Sequence, residues 1–219
     1  MKRKILITGL DSELKTNIVQ RFLDNDIAVA VSINSQKGKT KTKTSNLIEI
    51  PWNNRSPLSA KNLVLECQNK LGDFNETLSI LSSDQSNKPI HEISSSDIEN
   101  SIDTGLKGNI FILKEIILYF QKKGNGTISL IQNNDHTEFL APLYAIEKGS
   151  ISSLIQSLFA SYQNEQLTFN SFSSNSLEIK EYSEFIFKNI SEHGKSTHGK
   201  NFKFQERGML KSFTMTKKR

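Results

Sequence analysis

Cysteine is nearly absent from this 219-residue chain, where Cys67 stands alone. A single thiol excludes an internal disulfide framework and a cysteine-rich zinc site, and it suits a reducing cytoplasm. Long apolar runs are also missing. The longest, Ile110–Phe120, is interrupted by Lys114 and Glu115, well short of the ~20 apolar residues of a membrane helix. No membrane partner is expected. The opening MKRKILITGL has a basic start but a short apolar run and no small-residue cleavage site, so it reads as a first strand. Hydrophobic residues make up 36% and charged residues 23%. That is polar for a globular protein, yet not the composition of a disordered one.

The net charge of +5 is unevenly spread. Residues 195–219 carry eight Lys/Arg against Glu206, so the rest of the chain is slightly acidic. Lys37, Lys39, Lys41 and Lys43 form a second basic cluster. Both clusters are anion-site candidates, and both also read plainly as a solvated loop and tail.

Short apolar runs alternate with helical patterns. Strands are predicted at Lys4–Thr8, Ile27–Ile33, Leu47–Trp52, Thr77–Leu81, Thr127–Ile131, Leu167–Phe172 and Asn201–Gln205. Helices are predicted at Glu13–Leu23, Leu58–Leu71, Ser94–Lys122, Pro142–Gln163 and Tyr182–Ile190. Such alternation implies a doubly wound α/β domain over residues 1–208, with a mostly parallel sheet of about seven strands and helices on both faces. Residues 209–219 read as a basic tail.

Ligands of doubly wound folds sit at the carboxyl ends of the strands. The first turn there is Thr8–Lys15, TGLDSELK. Tyr144 and Lys148 are spaced i, i+4, on one helix face. An ammonium beside a phenol lowers the phenol's pKa toward proton-transfer range. Tyr119 and Lys123 repeat the spacing, but near a helix C-terminus, whereas Tyr144 starts a helix just after the fifth strand and its loop. His193 and His198 have no third ligand at metal-site spacing, so no metal is expected. No aromatic-plus-basic pattern of an RNA-binding sheet occurs, so nucleic acid is not an expected partner. The basic tail leaves a weaker option of anion or nucleic-acid contact.

These phrases together resemble the short-chain dehydrogenase/reductase family. TGLDSELK is similar to its T-G-x-x-x-G-x-G turn, with Glu13 and Lys15 in place of the later glycines. SIDTGLKGNIFILKEIILYF (101–120), GNGTISLIQNN (124–134), YAIEKGSISSLIQSLFASYQ (144–163), LTFNSF (167–172) and NFKFQERG (201–208) follow in the family's order. The resemblance implies an oxidoreductase acting on a carbonyl or alcohol. Tyr144 would be the proton donor, Lys148 would tune it, and Gln132 or Asn133 would replace the family's catalytic serine. It implies that Thr8, Gly9, Ser12, Lys15, Asn34, Lys37 and Lys148 hold a dinucleotide. Ser32–Ser35 carries no carboxylate and Lys37 and Lys39 follow, which favours NADP over NAD if a dinucleotide binds. The resemblance also implies a homodimer or homotetramer through helices 94–122 and 142–163.

The departures point elsewhere. Gly105 falls at the family's helix asparagine, Ser82–Gln85 at its N-N-A-G, and Ser174–Asn175 at its P-G. Glu13 at ~6 Å from a phosphate, with an effective dielectric of ~20, would cost roughly 2–3 kcal/mol. Lys15 offsets part of this if it turns toward the ligand. The alternative is a non-catalytic relative, a dimerising scaffold or ligand sensor.

Overall fold

The structure is a computed structural model. It describes residues 2–34, 45–81, 88–133, 141–174, 178–194 and 196–205. Lys37 and its neighbouring lysines, Ser82–Gln85, Asn175 and the tail 209–219 lie outside the described residues.

Strands β1 (Lys4–Thr8), β2 (Ala28–Ile33) and β4 (Glu76–Ile80) are almost wholly buried. Runs such as KILIT and AVAVSI have no polar face to show water, which places them inside a parallel sheet covered on both sides. With β3 (Leu47–Pro51), β5 (Gly126–Asn133), β6 (Leu167–Ser174) and β7 (Lys200–Phe204) they form one seven-stranded sheet. Its order is β3-β2-β1-β4-β5-β6-β7, and every neighbouring pair is parallel. Pro51 ends β3, an edge strand, where a missing N–H costs no ladder bond. The order reverses between β1 and β4, the crevice where such sheets bind ligands.

Helices α1 (Glu13–Asp24) and α6 (Ile179–His193) cover one face, and α2 (Pro57–Leu71), α4 (Gly108–Lys123) and α5 (Pro142–Ser161) the other. Each face has its own core. Ile5, Ile7, Phe22, Val29, Leu78 and Tyr182 pack on the first. Leu6, Ile50, Leu63, Phe120, Ile128 and Phe169 pack on the second. The split follows the period of two along each strand. A left-handed Gly124 (φ 84°) closes α4, the position a side chain disfavours.

One predicted element needs correction. The span Ser94–Lys122 is not a single α-helix. It consists of α3 (Ser95–Ser101), a π-helical stretch (Ile102–Lys107) and α4. The wide turn brings Gly105 against Glu147 of α5, so closely that a Cβ at Gly105 would lie 2.6 Å from the carboxylate carbon. The Ser101 hydroxyl donates to that carboxylate, and the Asn109 side-chain amide donates to the Gly105 carbonyl. The bulge therefore accommodates a buried carboxylate beside a residue without a side chain. Elsewhere the differences are end effects: β4 begins one residue earlier than predicted, and α6 extends the predicted helix at both ends.

Among the described residues, no helix is long and apolar enough to cross a membrane.

Candidate active site at the carboxyl edge of the sheet

The first turn leaves β1 at Thr8, whose hydroxyl donates to Ser79 Oγ of β4 at 3.0 Å. Gly9 follows at φ 134°, pressed so tightly on β4 that a Cβ would stand 2.7 Å from the Ile80 carbonyl. Only glycine fits that conformation and that approach. Ser12 caps α1 by accepting from the Lys15 N–H at 3.2 Å, and Glu13 lies in the positive first turn.

Lys15 does not turn toward solvent. Its side chain is buried, and Nζ donates to the Gly9 carbonyl at 2.9 Å, the Ser32 carbonyl at 2.8 Å and Asp11 Oδ1 at 2.6 Å. Burial pushes its pKa below the ordinary lysine value, with Asp11 pulling the other way. Asp11 Oδ2 accepts from the Asn34 N–H at 3.2 Å, and Asn34 Nδ2 donates to the Trp52 carbonyl at 3.2 Å. One internal cation thus laces together the carboxyl ends of β1 and β2 and, through Asp11, the start of the next loop.

This decides how a dinucleotide fits. The turn lacks the two later glycines of the pattern it resembles, with Glu13 and Lys15 in their place. The Lys15 ammonium is committed to two carbonyls and to Asp11, and Glu13 is an acidic residue in the first turn of α1. The turn therefore lacks two features that favour close pyrophosphate approach, bare backbone at those positions and a cation free to face the phosphates. Room for a ring persists farther out. A cleft of about 580 Å³ lies over the ends of β2 and β3, lined by Leu10, Asn34, Trp52, Asn53, Arg55 and Thr104 among others. Trp52 Nε1 and Asn34 Oδ1 are buried there without a hydrogen-bond partner among the described residues.

Tyr144 and Lys148 come together on α5, with Nζ 6.0 Å from the ring centroid. Tyr144 is only 7% exposed, whereas Lys148 is half-buried. Lys148 borders a polar cleft of about 210 Å³ at the ends of β5, β6 and β7, together with Gln132, Ser152, Ser173, Asn201 and Lys203. Gln132 is held by its own carbonyl, which accepts from Tyr182 Oη at 2.9 Å. Asn133 pairs with Ser174 at the end of β5. The sites therefore fall into two groups. Thr8, Gly9, Ser12, Lys15 and Asn34 meet at the first turn, while Lys148 and Gln132 meet at the second cleft. The alternative pair of Tyr119 and Lys123 is structural: Tyr119 stacks on Phe74 at 4.5 Å, and Lys123 donates to the Phe74 carbonyl at 2.7 Å. His198 is also structural, with Nε2 at 2.9 Å from the Phe159 carbonyl and Nδ1 at 3.4 Å from the Phe169 N–H.

The sequence reading missed Ser32, Glu147, Ser173, Asn201 and Lys203. The available signal was polarity at strand ends. Gln132 and Ser173 interrupt runs whose earlier members on the same face are core residues.

The family model for short chain dehydrogenase matches residues 3–178. No curated protein matches the sequence. Solved structures match across nearly the whole chain. A short chain dehydrogenase from Bacillus anthracis superposes with a TM-score of 0.78 at 13% identity, over 93% of this chain and 95% of that one. A 3-ketoacyl-(acyl-carrier-protein) reductase from Brucella melitensis, complexed with NADH, gives 0.79 at 11%, over 92% and 96%. A 3-ketoacyl-ACP reductase from Sinorhizobium meliloti 1021 gives 0.80 at 14%, over 92% and 96%. At such identities the likeness carries the fold, and the match to the family model carries the membership: the chain belongs to the short chain dehydrogenase family.

Proposed function

We propose that this family member works without a dinucleotide, as a self-associating protein that binds a small ligand at the carboxyl edge of its sheet. The observation that carries the reading is the Lys15 ammonium seated on the Gly9 and Ser32 carbonyls. A dinucleotide entering this turn does not find the Lys15 cation free, because Nζ is committed to those carbonyls and to Asp11. It also meets Glu13, at roughly 2–3 kcal/mol. The Glu13 repulsion by itself comes to roughly one and a half to two powers of ten in affinity.

Self-association is part of the proposal. Ile110 and Leu118 of α4 are 42% and 40% exposed. They border a mostly apolar groove of about 240 Å³ between α4 and α5, with Leu154 and Leu158 opposite. A second copy would cover these residues.

A second reading keeps NADP(H)-dependent carbonyl chemistry, with Tyr144 donating the proton and Gln132 or Asn133 orienting the substrate oxygen. The pairing of Tyr144 with Lys148, and a Trp52 Nε1 without a partner among the described residues, favour it. A thermal shift series separates the two. Ligand at about a hundred times its Kd stabilises by ~2.7 kcal/mol, several degrees for a chain of this size. We expect no shift with millimolar NADPH or NADH. A rise of several degrees with either replaces our reading with the second.

A further inference from the structure

We infer that the cleft beside Lys148 is a binding site for a small oxyanion, the headgroup of a short carboxylate or phosphate compound. The inference rests on the ligand-binding reading above and names the ligand's chemistry.

The register places the site. Gln132 of β5 is the partner of Ser173 of β6, and Ser173 is the partner of Lys203 of β7. The three form one row across the sheet at its carboxyl edge. Two and four residues earlier on β5, Leu130 and Ile128 lie in the α5-side core, as does Phe169 four residues before Ser173. By the period of two, Gln132 and Ser173 continue those same faces. A row that served packing alone would stay apolar. This one turns polar at the strand ends, and α5 brings Lys148 and Ser152 to it, an i, i+4 pair on one helix face.

The chemistry of the lining is one-sided. Lys148 and Lys203 both border the cleft, and no Asp or Glu does among the described residues. Ser173 donates its hydroxyl to Asn201 Oδ1 at 3.4 Å, leaving the Asn201 amide as a donor. Two ammonium groups, two side-chain amides and the Ser152 hydroxyl converge where an acceptor-rich group would sit. A volume of about 210 Å³ holds roughly seven waters at ~30 Å³ each. That suits a ligand of a few carbons and is too small for a nucleotide.

The test is a thermal shift and calorimetric series on the full chain at constant ionic strength, with pyruvate, inorganic phosphate and the neutral amide pyruvamide as probes. We expect pyruvate or phosphate to bind at millimolar concentration and pyruvamide not to. Pyruvate binding more tightly assigns a carboxylate ligand, and phosphate binding more tightly assigns a phosphate compound. Lys203→Gln, an exposed position on an edge strand, should weaken the anion roughly tenfold without moving the melting point of the free protein. Lys148→Met should weaken the anion by a similar factor. Equal response to pyruvate and pyruvamide, no response to either anion, or full binding by the Lys203→Gln and Lys148→Met proteins overturns the inference. NADPH in the same series keeps the questions apart, since its binding defeats the cofactor-free reading alone, and anion failure without NADPH binding defeats the oxyanion site alone.

Discussion

Replacing Lys15 with methionine removes the internal cation and keeps most of its stem. Nζ holds the Gly9 carbonyl, the Ser32 carbonyl and Asp11. Gly9 retains another donor, because Ser32 Oγ reaches the same carbonyl at 3.1 Å. The Ser32 carbonyl loses its Lys15 bond, and Asp11, whose side chain is 33% exposed, recovers solvation. One bond of about 1.5–3 kcal/mol is therefore lost outright, the Asp11 pair counts for less because water screens it, and relief of the buried ammonium returns a part. A net cost of about 2 kcal/mol lowers the melting temperature by roughly 4–8 °C for a chain of this size. The pH dependence carries a second signature. Burial holds the folded pKa of Lys15 below its unfolded value. Between those two values the unfolded chain binds more protons, so the contribution of Lys15 to stability rises with pH across that window. Below the folded pKa the full desolvation cost is present. The methionine protein lacks this slope. Urea melts of both proteins from neutral to alkaline pH measure it. Unchanged midpoints, with parallel curves across the alkaline range, would refute the placement of the ammonium.

Three further outcomes follow from the packing. Burial pushes the Cys67 thiol up to about 12, so a thiol reagent at neutral pH should find no reactive cysteine in the native chain and one after denaturation. Gly105→Asn, which restores the family's residue, should destabilise by about 1–3 kcal/mol because its Cβ meets the Glu147 carboxylate; adding Glu147→Ser should recover much of the loss, a non-additivity that a double-mutant cycle reads directly. Ile110→Asp with Leu118→Asp should convert dimer to monomer in sedimentation at micromolar concentration, and a parent that is already monomeric removes self-association from the account.

Much of the fold is legible in the sequence because each parallel strand is a short apolar run bounded by helical periodicity. AVAVSI and KILIT leave no other reading, and Pro142 at the head of α5 marks its start as its chemistry demands. The π-helical stretch is less legible. It depends on Glu147, some forty residues away in the chain, coming to rest against Gly105, and no local pattern encodes that contact. Lys15 shows the same limit. Its position in the turn reads as a ligand-facing cation, but its direction is set by two carbonyls on separate strands that meet only after the sheet forms. Gln132, Ser173 and Lys203 become one site only through register.

The central claim is that the first turn is closed to a dinucleotide by Glu13 and Lys15. Calorimetric titration of NADPH into the parent and into the Glu13→Gly, Lys15→Gly protein tests it most directly. The double change removes roughly 2–3 kcal/mol of repulsion and bares the backbone at both positions, at a stability cost of up to ~1 kcal/mol for each helical glycine beyond the roughly 2 kcal/mol lost with the Lys15 bonds. The account predicts no measurable heat with the parent, and binding at least roughly tenfold tighter in the folded double variant. Micromolar NADPH binding by the parent, with Glu13 and Lys15 in place, would contradict it.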